Sequence, residues 1–96
     1  MKDIIHIKYF GSIRAAAQKS GEDVEFSPGV SIFSLMEQLC SLQGGALRGE
    51  LFSGSELRDD VTVSLNGKII RHEVVKEKCL EQGDTLALLP IFPGGG

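Results

Sequence analysis

The stretch Leu88 to Gly96, LLPIFPGGG, holds the residues of this chain whose types and order point most directly to chemistry. Three successive glycines bring no side chain to a core and lose the most backbone freedom on ordering. One reading is a frayed end. The other is a slender anionic arm. The α-carboxyl of Gly96, with an ordinary pKa of about 3.3–3.7, is ionised at neutral pH. Once a metal ion and a partner's cationic groups neutralise the phosphate charge, such a carboxylate attacks the α-phosphorus of ATP. The product is an acyl adenylate, a mixed anhydride that a sulfur nucleophile displaces. Lacking Cβ atoms, Gly94, Gly95 and Gly96 can thread a narrow channel, and the residues after Leu89 reach roughly 23 Å when extended. Pro90 and Pro93 fix φ along the arm and reduce the entropy lost on insertion. Leu89, Ile91 and Phe92 offer apolar anchors at a channel mouth. A tail of this composition, running straight on from a strand pattern, favours the arm.

The remaining residues offer no competing chemistry. Glu56, Asp59 and Asp60 fall in an expected loop with no histidine near them in sequence, and read as solvated surface. His6 lies on the polar face of a strand and His72 in a charged turn. No His-x-x-x-His spacing is present, so neither is expected to hold a metal. Cys40 and Cys79 form no Cys-x-x-Cys pair, and two thiols are too few for a four-thiolate iron–sulfur cluster. Both are expected to be free and buried in a reducing cytoplasm. LQGGALRG has glycines but no Gly-Lys-Ser/Thr after a strand, so no ATP loop is expected. A net charge of −3 argues against nucleic acid as a partner. No apolar run nears the roughly 20 residues that span a bilayer, and MKDIIHIKYF alternates rather than reading as a secretory leader. The chain is therefore expected to be cytoplasmic, off the membrane, and not an enzyme by itself. ATP and magnesium would be used by a partner, with no cofactor bound here.

The elements that must carry the arm follow from periodicity. Ile4 to Phe10 alternates with Ile5, Ile7 and Tyr9 on one face, and predicts a strand. GSIRAAAQKSG suits a short helical turn ended by Gly21. Glu22 to Phe26 predicts a second strand, closed by Ser-Pro-Gly. Ser31 is placed to cap the strongest helix, with Val30 and Leu35 at the spacing of a hydrophobic staple. Ile32, Leu35, Met36, Leu39 and Cys40 make its apolar stripe, and Gly44-Gly45 its stop. Ala46 to Asp60 reads as loop, with one helical turn around Leu47 to Phe52. Val61, Val63 and Leu65 predict a strand, Asn66-Gly67 a type I′ hairpin turn, and Lys68 to Ile70 the return. Gly83-Asp84 then turns the chain into a last strand, Thr85 to Leu89. The order β-β-α-β-β-β lets the last strand lie parallel to the first in a mixed sheet. That is an α+β, β-grasp (ubiquitin-like) domain: a mixed five-stranded sheet, one main helix on one face, and an extended C-terminal tail. Residues 1–89 are expected to be the domain and residues 90–96 the flexible arm. Leu86 and Leu88 would face the helix, leaving Ala87 and Leu89 on the uncovered side.

Taken together, YFGSIRAAA, GVSIFSLMEQL, SLNG, EQGDTLALLP and the glycine end resemble the MoaD/ThiS family of ubiquitin-like sulfur carriers over essentially the whole chain, and within it the molybdopterin synthase small subunit. The resemblance implies that a ubiquitin-activating-type (MoeB/ThiF-like) enzyme adenylates Gly96. Sulfur transfer then leaves a thiocarboxylate on Gly96, with Gly95 beside it. The acceptor would be a molybdopterin synthase large subunit (MoaE-like) or another sulfur-accepting enzyme. Arg14 stands at the place of the family's arginine and reads as a structural or docking residue. The arm departs from the molybdopterin branch: Ile91 replaces the second of two adjacent prolines, Pro93 precedes the glycines, and there are three glycines. A ubiquitin-like modifier joined to lysines through Gly96 begins with the same adenylate. Carriers for cysteine, methionine or thiamin synthesis share the end as well.

Overall fold

A computed structural model describes residues 3–90. Seven strands and four helices follow one another in it. They are β1 (Asp3–Tyr9), α1 (Gly11–Ala17), β2 (Gly21–Phe26), α2 (Ile32–Gln43), α3 (Gly45–Leu51), β3 (Phe52–Ser53), β4 (Glu56–Leu57), β5 (Val61–Leu65), β6 (Lys68–Ile70), α4 (His72–Glu77) and β7 (Thr85–Pro90). Five strands make one sheet in the order β2-β1-β7-β5-β6, while β3 and β4 form a separate two-stranded ribbon. β1 and β7 run parallel, and every other neighbouring pair in the sheet is antiparallel. This is the mixed β-grasp sheet expected from the element order. β7 is its central strand.

Alternation decides which face is covered. Ile5, Ile7 and Tyr9 of β1, Val61 and Val63 of β5, and Leu86 and Leu88 of β7 are all buried. They meet Ile32, Leu35, Met36, Leu39 and Cys40, the whole stripe expected of α2. The Ser31 hydroxyl caps α2 by accepting the Ser34 N–H at 3.1 Å. Asn66 and Gly67 both take positive φ, 52° and 87°, as a type I′ turn requires. Asn66 also clamps a second turn: its Oδ1 accepts Thr85 N–H at 2.8 Å and its Nδ2 donates to Asp84 at 3.0 Å. The hairpin and the Gly83-Asp84 turn are thereby one unit.

Four expectations need correction. Between Ala46 and Asp60 the helical turn expected around Leu47 to Phe52 is present as α3, but the remainder is not plain loop: it holds the β3–β4 ribbon, with Leu47, Leu51, Phe52 and Leu57 all buried. His72 begins α4 rather than sitting in a turn. That helix is too short for a period to register, and its one buried residue, Val75, anchors it as it packs on α2. Cys40 is buried, but Cys79 is exposed, in a bridge pairing with Ser31, its thiol 3.5 Å from the Gly29 carbonyl oxygen. The last strand also runs one residue past Leu89, because Pro90 still pairs with Val61.

Candidate functional site

The register of the sheet builds the uncovered face row by row. Ala87 lies between Lys8 of β1 and Ser64 of β5, and Ser64 in turn opposes Ile69 of β6. One step along, Leu89 opposes Thr62. On its other side the parallel ladder continues past β1, the Phe10 N–H donating to the Leu88 carbonyl at 3.1 Å. Phe10, Ala87, Leu89 and Ile69 thus surround a shallow groove of about 330 Å³, with Lys8 on its rim. Phe10 is 42% exposed and Ile69 is 76% exposed. Large apolar side chains presented together on an open sheet face are the usual mark of a docking surface. Ala87 and Leu89 are on the outward side, as expected, with Leu86 and Leu88 fully buried behind them. Phe10 and Ile69 were not singled out by sequence. Both lie on the outward side of strand patterns, where a lone apolar residue carries no signal until the register brings it beside another.

Arg14 is exposed on α1, and its backbone N–H donates to the Phe10 carbonyl at 3.1 Å. It lines a second depression on the same side of the molecule, shared with His6, Lys8 and Phe10. His6 is held there by Asp23, Nδ1 to Oδ1 at 2.6 Å. That depression shares Lys8 and Phe10 with the groove and also holds Glu22 and Asp23, so Arg14 lies beside the groove in a surface of mixed charge. Pro90 stands at the end of β7, against Gly11. Ile91, Phe92, Pro93, Gly94, Gly95 and Gly96 lie outside the described residues.

The acidic residues set aside in the sequence do come together with a histidine. Glu56, Asp59, His72, Glu73 and Glu77 line a groove of about 560 Å³ between the β3–β4 ribbon and α4. Two of these groups are already engaged. His72 Nε2–H donates to the Val61 carbonyl at 2.7 Å, and Lys76 holds Glu56 at 2.7 Å. At the neighbouring Asp60, the Arg58 guanidinium binds the carboxylate with two donors, at 2.9 and 3.0 Å. Those hydrogen bonds draw the Asp60 carboxyl below its ordinary range and raise Arg58. Among the described residues no cluster of histidine, cysteine and carboxylate side chains is arranged to hold a metal ion. No helix of the described residues is long and apolar enough to cross a membrane.

Comparison with known proteins agrees with this geometry. The family model described as the ThiS family matches residues 7–95. No curated protein sequence matches at a significant level. Among solved structures, the HVO 2177 protein of Haloferax volcanii superposes with a TM-score of 0.82 at 19% identity, covering 98% of this chain and 88% of that one. Small archaeal modifier protein 1 of Haloferax volcanii gives 0.81 at 22% identity, covering 94% and 99%. A protein of Pyrococcus furiosus named for molybdopterin converting factor, subunit 1, gives 0.74 at 25% identity, covering 94% and 99%. With the family model spanning nearly the whole sequence and the β-grasp sheet in place, this chain belongs to the ThiS family of ubiquitin-like proteins.

Proposed function

We propose that this chain is a sulfur carrier, a protein cosubstrate rather than a catalyst, whose working group is the carboxylate of Gly96. A ubiquitin-activating-type enzyme supplies ATP, magnesium and the cationic groups. The Gly96 carboxylate oxygen attacks the α-phosphorus, pyrophosphate leaves, and an acyl adenylate remains. Hydrosulfide released from a sulfur donor then attacks the acyl carbon and expels AMP, and the resulting thiocarboxylate carries sulfur to an acceptor. The observation that most supports this reading is the position of β7. It is the central strand, it lines the apolar groove with Ala87 and Leu89, and it delivers the chain at Pro90 toward the arm. A partner that docks on the groove receives the arm at the edge of its own contact surface. Phe10, Ala87, Leu89 and Ile69 are the docking residues, with Arg14 beside them.

The favoured destination is pterin dithiolene synthesis, with the chain as small subunit of a molybdopterin synthase in the cytoplasm. It rests on the sequence resemblance and on the name of the Pyrococcus protein. The modifier reading has support of its own in the archaeal modifier relative, and would join Gly96 to lysines of targets. Intact mass separates them. After incubation with ATP, magnesium, a sulfur donor and a cognate activating enzyme, the carrier gains the difference between sulfur and oxygen, located on Gly96 by fragmentation. No gain, with the enzyme active on another carrier, defeats the carrier reading. Isopeptide-linked species of higher mass in cells favour the modifier.

A further inference from the structure

We infer that Lys8 is a specificity-determining residue of the open sheet face: the partner that covers the apolar groove presents a carboxylate to the Lys8 ammonium. This deepens the carrier reading and rests on it for the partner's identity. Phe10, Leu89 and Ile69 line the groove, and among the described residues Lys8 is the one charged residue that lines it with them. In the sheet register Lys8 is exposed between Gly21 of β2 and Ala87 of β7. Neither neighbour has a side chain beyond Cβ, so neither can pair with the ammonium or shade it from a partner. The chain's own carboxylates are committed or distant. Asp23, two residues along β2 on the same face, is held by His6 at 2.6 Å. Glu22 turns to the core side, where Tyr9 and Gln43 hold it. Glu25 opposes Ile4, about 13 Å along the strand from Lys8, beyond the reach of an ion pair. Among the described residues Lys8 makes no ion pair. An ammonium at the edge of a covered apolar surface that loses water without gaining a partner weighs against docking. The chain supplies no acid there, so the partner must. A matched carboxylate removes that cost, steers the encounter and rejects surfaces that present a cation.

The test compares Lys8→Arg, Lys8→Met and Lys8→Glu with the wild-type full chain, and takes Lys78→Met as a control. The Lys78 carbonyl accepts the Ile32 N–H at 2.9 Å, at the start of the helix that covers the other sheet face. That variant therefore removes one positive charge away from the groove. Two readouts are taken for each chain: Kd for the activating enzyme without ATP, and KM and kcat in ATP–pyrophosphate exchange. Lys8→Met should raise Kd and KM about fivefold, and Lys8→Glu at least about fiftyfold, with kcat within about twofold, because the contact is made equally before and during the chemistry. Lys8→Arg keeps the charge and should stay within about twofold of wild type, as should Lys78→Met. Raising salt from about 0.05 to about 0.5 M should weaken wild-type binding more than that of Lys8→Met. If Lys8→Met binds as well as wild type, the ammonium merely reaches round to solvent, and the inference is overturned. An equal loss in Lys78→Met overturns it too, since that marks an effect of net charge. A wild-type chain that docks with this dependence on Lys8 but gives no exchange sustains the inference and defeats the carrier reading. A wild-type chain that does not dock defeats both.

Discussion

The Tyr9 hydroxyl donates to the Glu22 carboxylate at 2.6 Å, tying the end of β1 to the start of β2 on the core side of the sheet. Gln43, the last residue of α2, donates to the same carboxylate oxygen at 2.7 Å and to the phenol oxygen at 3.2 Å. Two strands and the main helix therefore meet in one polar contact next to the strand end from which Phe10 leads into α1. Tyr9→Phe keeps the ring and removes the donor. Among the described residues the part-buried carboxylate then retains Gln43 and Lys19 as partners. The expected loss is about 1–2 kcal/mol, seen as a lower urea midpoint at unchanged m.

Alkaline pH should weaken the fold through two core groups. Burial pushes the Cys40 thiol up to about 11. Burial, reinforced by the hydrogen bond to Glu22, holds the Tyr9 phenol well above its ordinary range. Both groups are neutral when protonated, and the native state keeps their protons more tightly than the unfolded chain does. Their contribution is complete below the ordinary thiol pKa of about 8.5 and is lost as pH rises, for Cys40 toward about 11, for Tyr9 from about 10 upward. Urea unfolding across this window should show stability falling from about pH 9. Cys40→Ala should remove the earlier part of the fall, and an unchanged profile in that variant would contradict the assignment.

Leu88 and Leu89 are neighbours with opposite fates. Leu88 is fully buried, so Leu88→Asp should abolish the folded state, leaving an unpaired charge in the core. Leu89 opens on the groove, so Leu89→Asp should keep native circular dichroism and melting behaviour. Its effect should instead be on activation, with KM for the chain rising about tenfold, as loss of a central apolar anchor does. A Leu89→Asp chain that fails to fold would show that its strand face is misassigned.

Gly96→Ala examines the end of the arm itself. The domain should fold as in the wild type, since the buried core is built by residues between Ile5 and Leu88. Adenylation should drop by about a hundredfold, the scale expected when a reacting group is held away from its productive position. Full activity would sink the argument that the glycines serve a narrow channel.

Much of this architecture is legible in the sequence because its signals are local. The alternation of Ile5, Ile7 and Tyr9, the stripe from Ile32 to Cys40, the Ser31 cap and the Asn66-Gly67 turn each satisfy a nearby backbone or solvent requirement. Neighbouring residues alone are enough to show them. The element order then leaves the parallel placement of β7 beside β1 as the natural closure. The chemical promise of the glycine end is likewise a matter of residue type.

What tertiary structure alone decided depends on contacts between residues far apart in the chain. α4 and the β3–β4 ribbon are too short to register as a period, and are held by Val75, Phe52 and Leu57 entering a core built by other elements. Cys79 is exposed because it bridges to Ser31 at the rim rather than joining the core. Phe10 and Ile69 line one apolar groove only when register sets them beside Leu89 and Ala87. Gly11 and Pro90, separated by most of the sequence, meet because α1 turns over the end of β7. Sequence determines which faces are apolar and where the chain turns, since those follow from each residue's own chemistry. Which faces and turns come together is decided by pairing and packing, which no single segment contains.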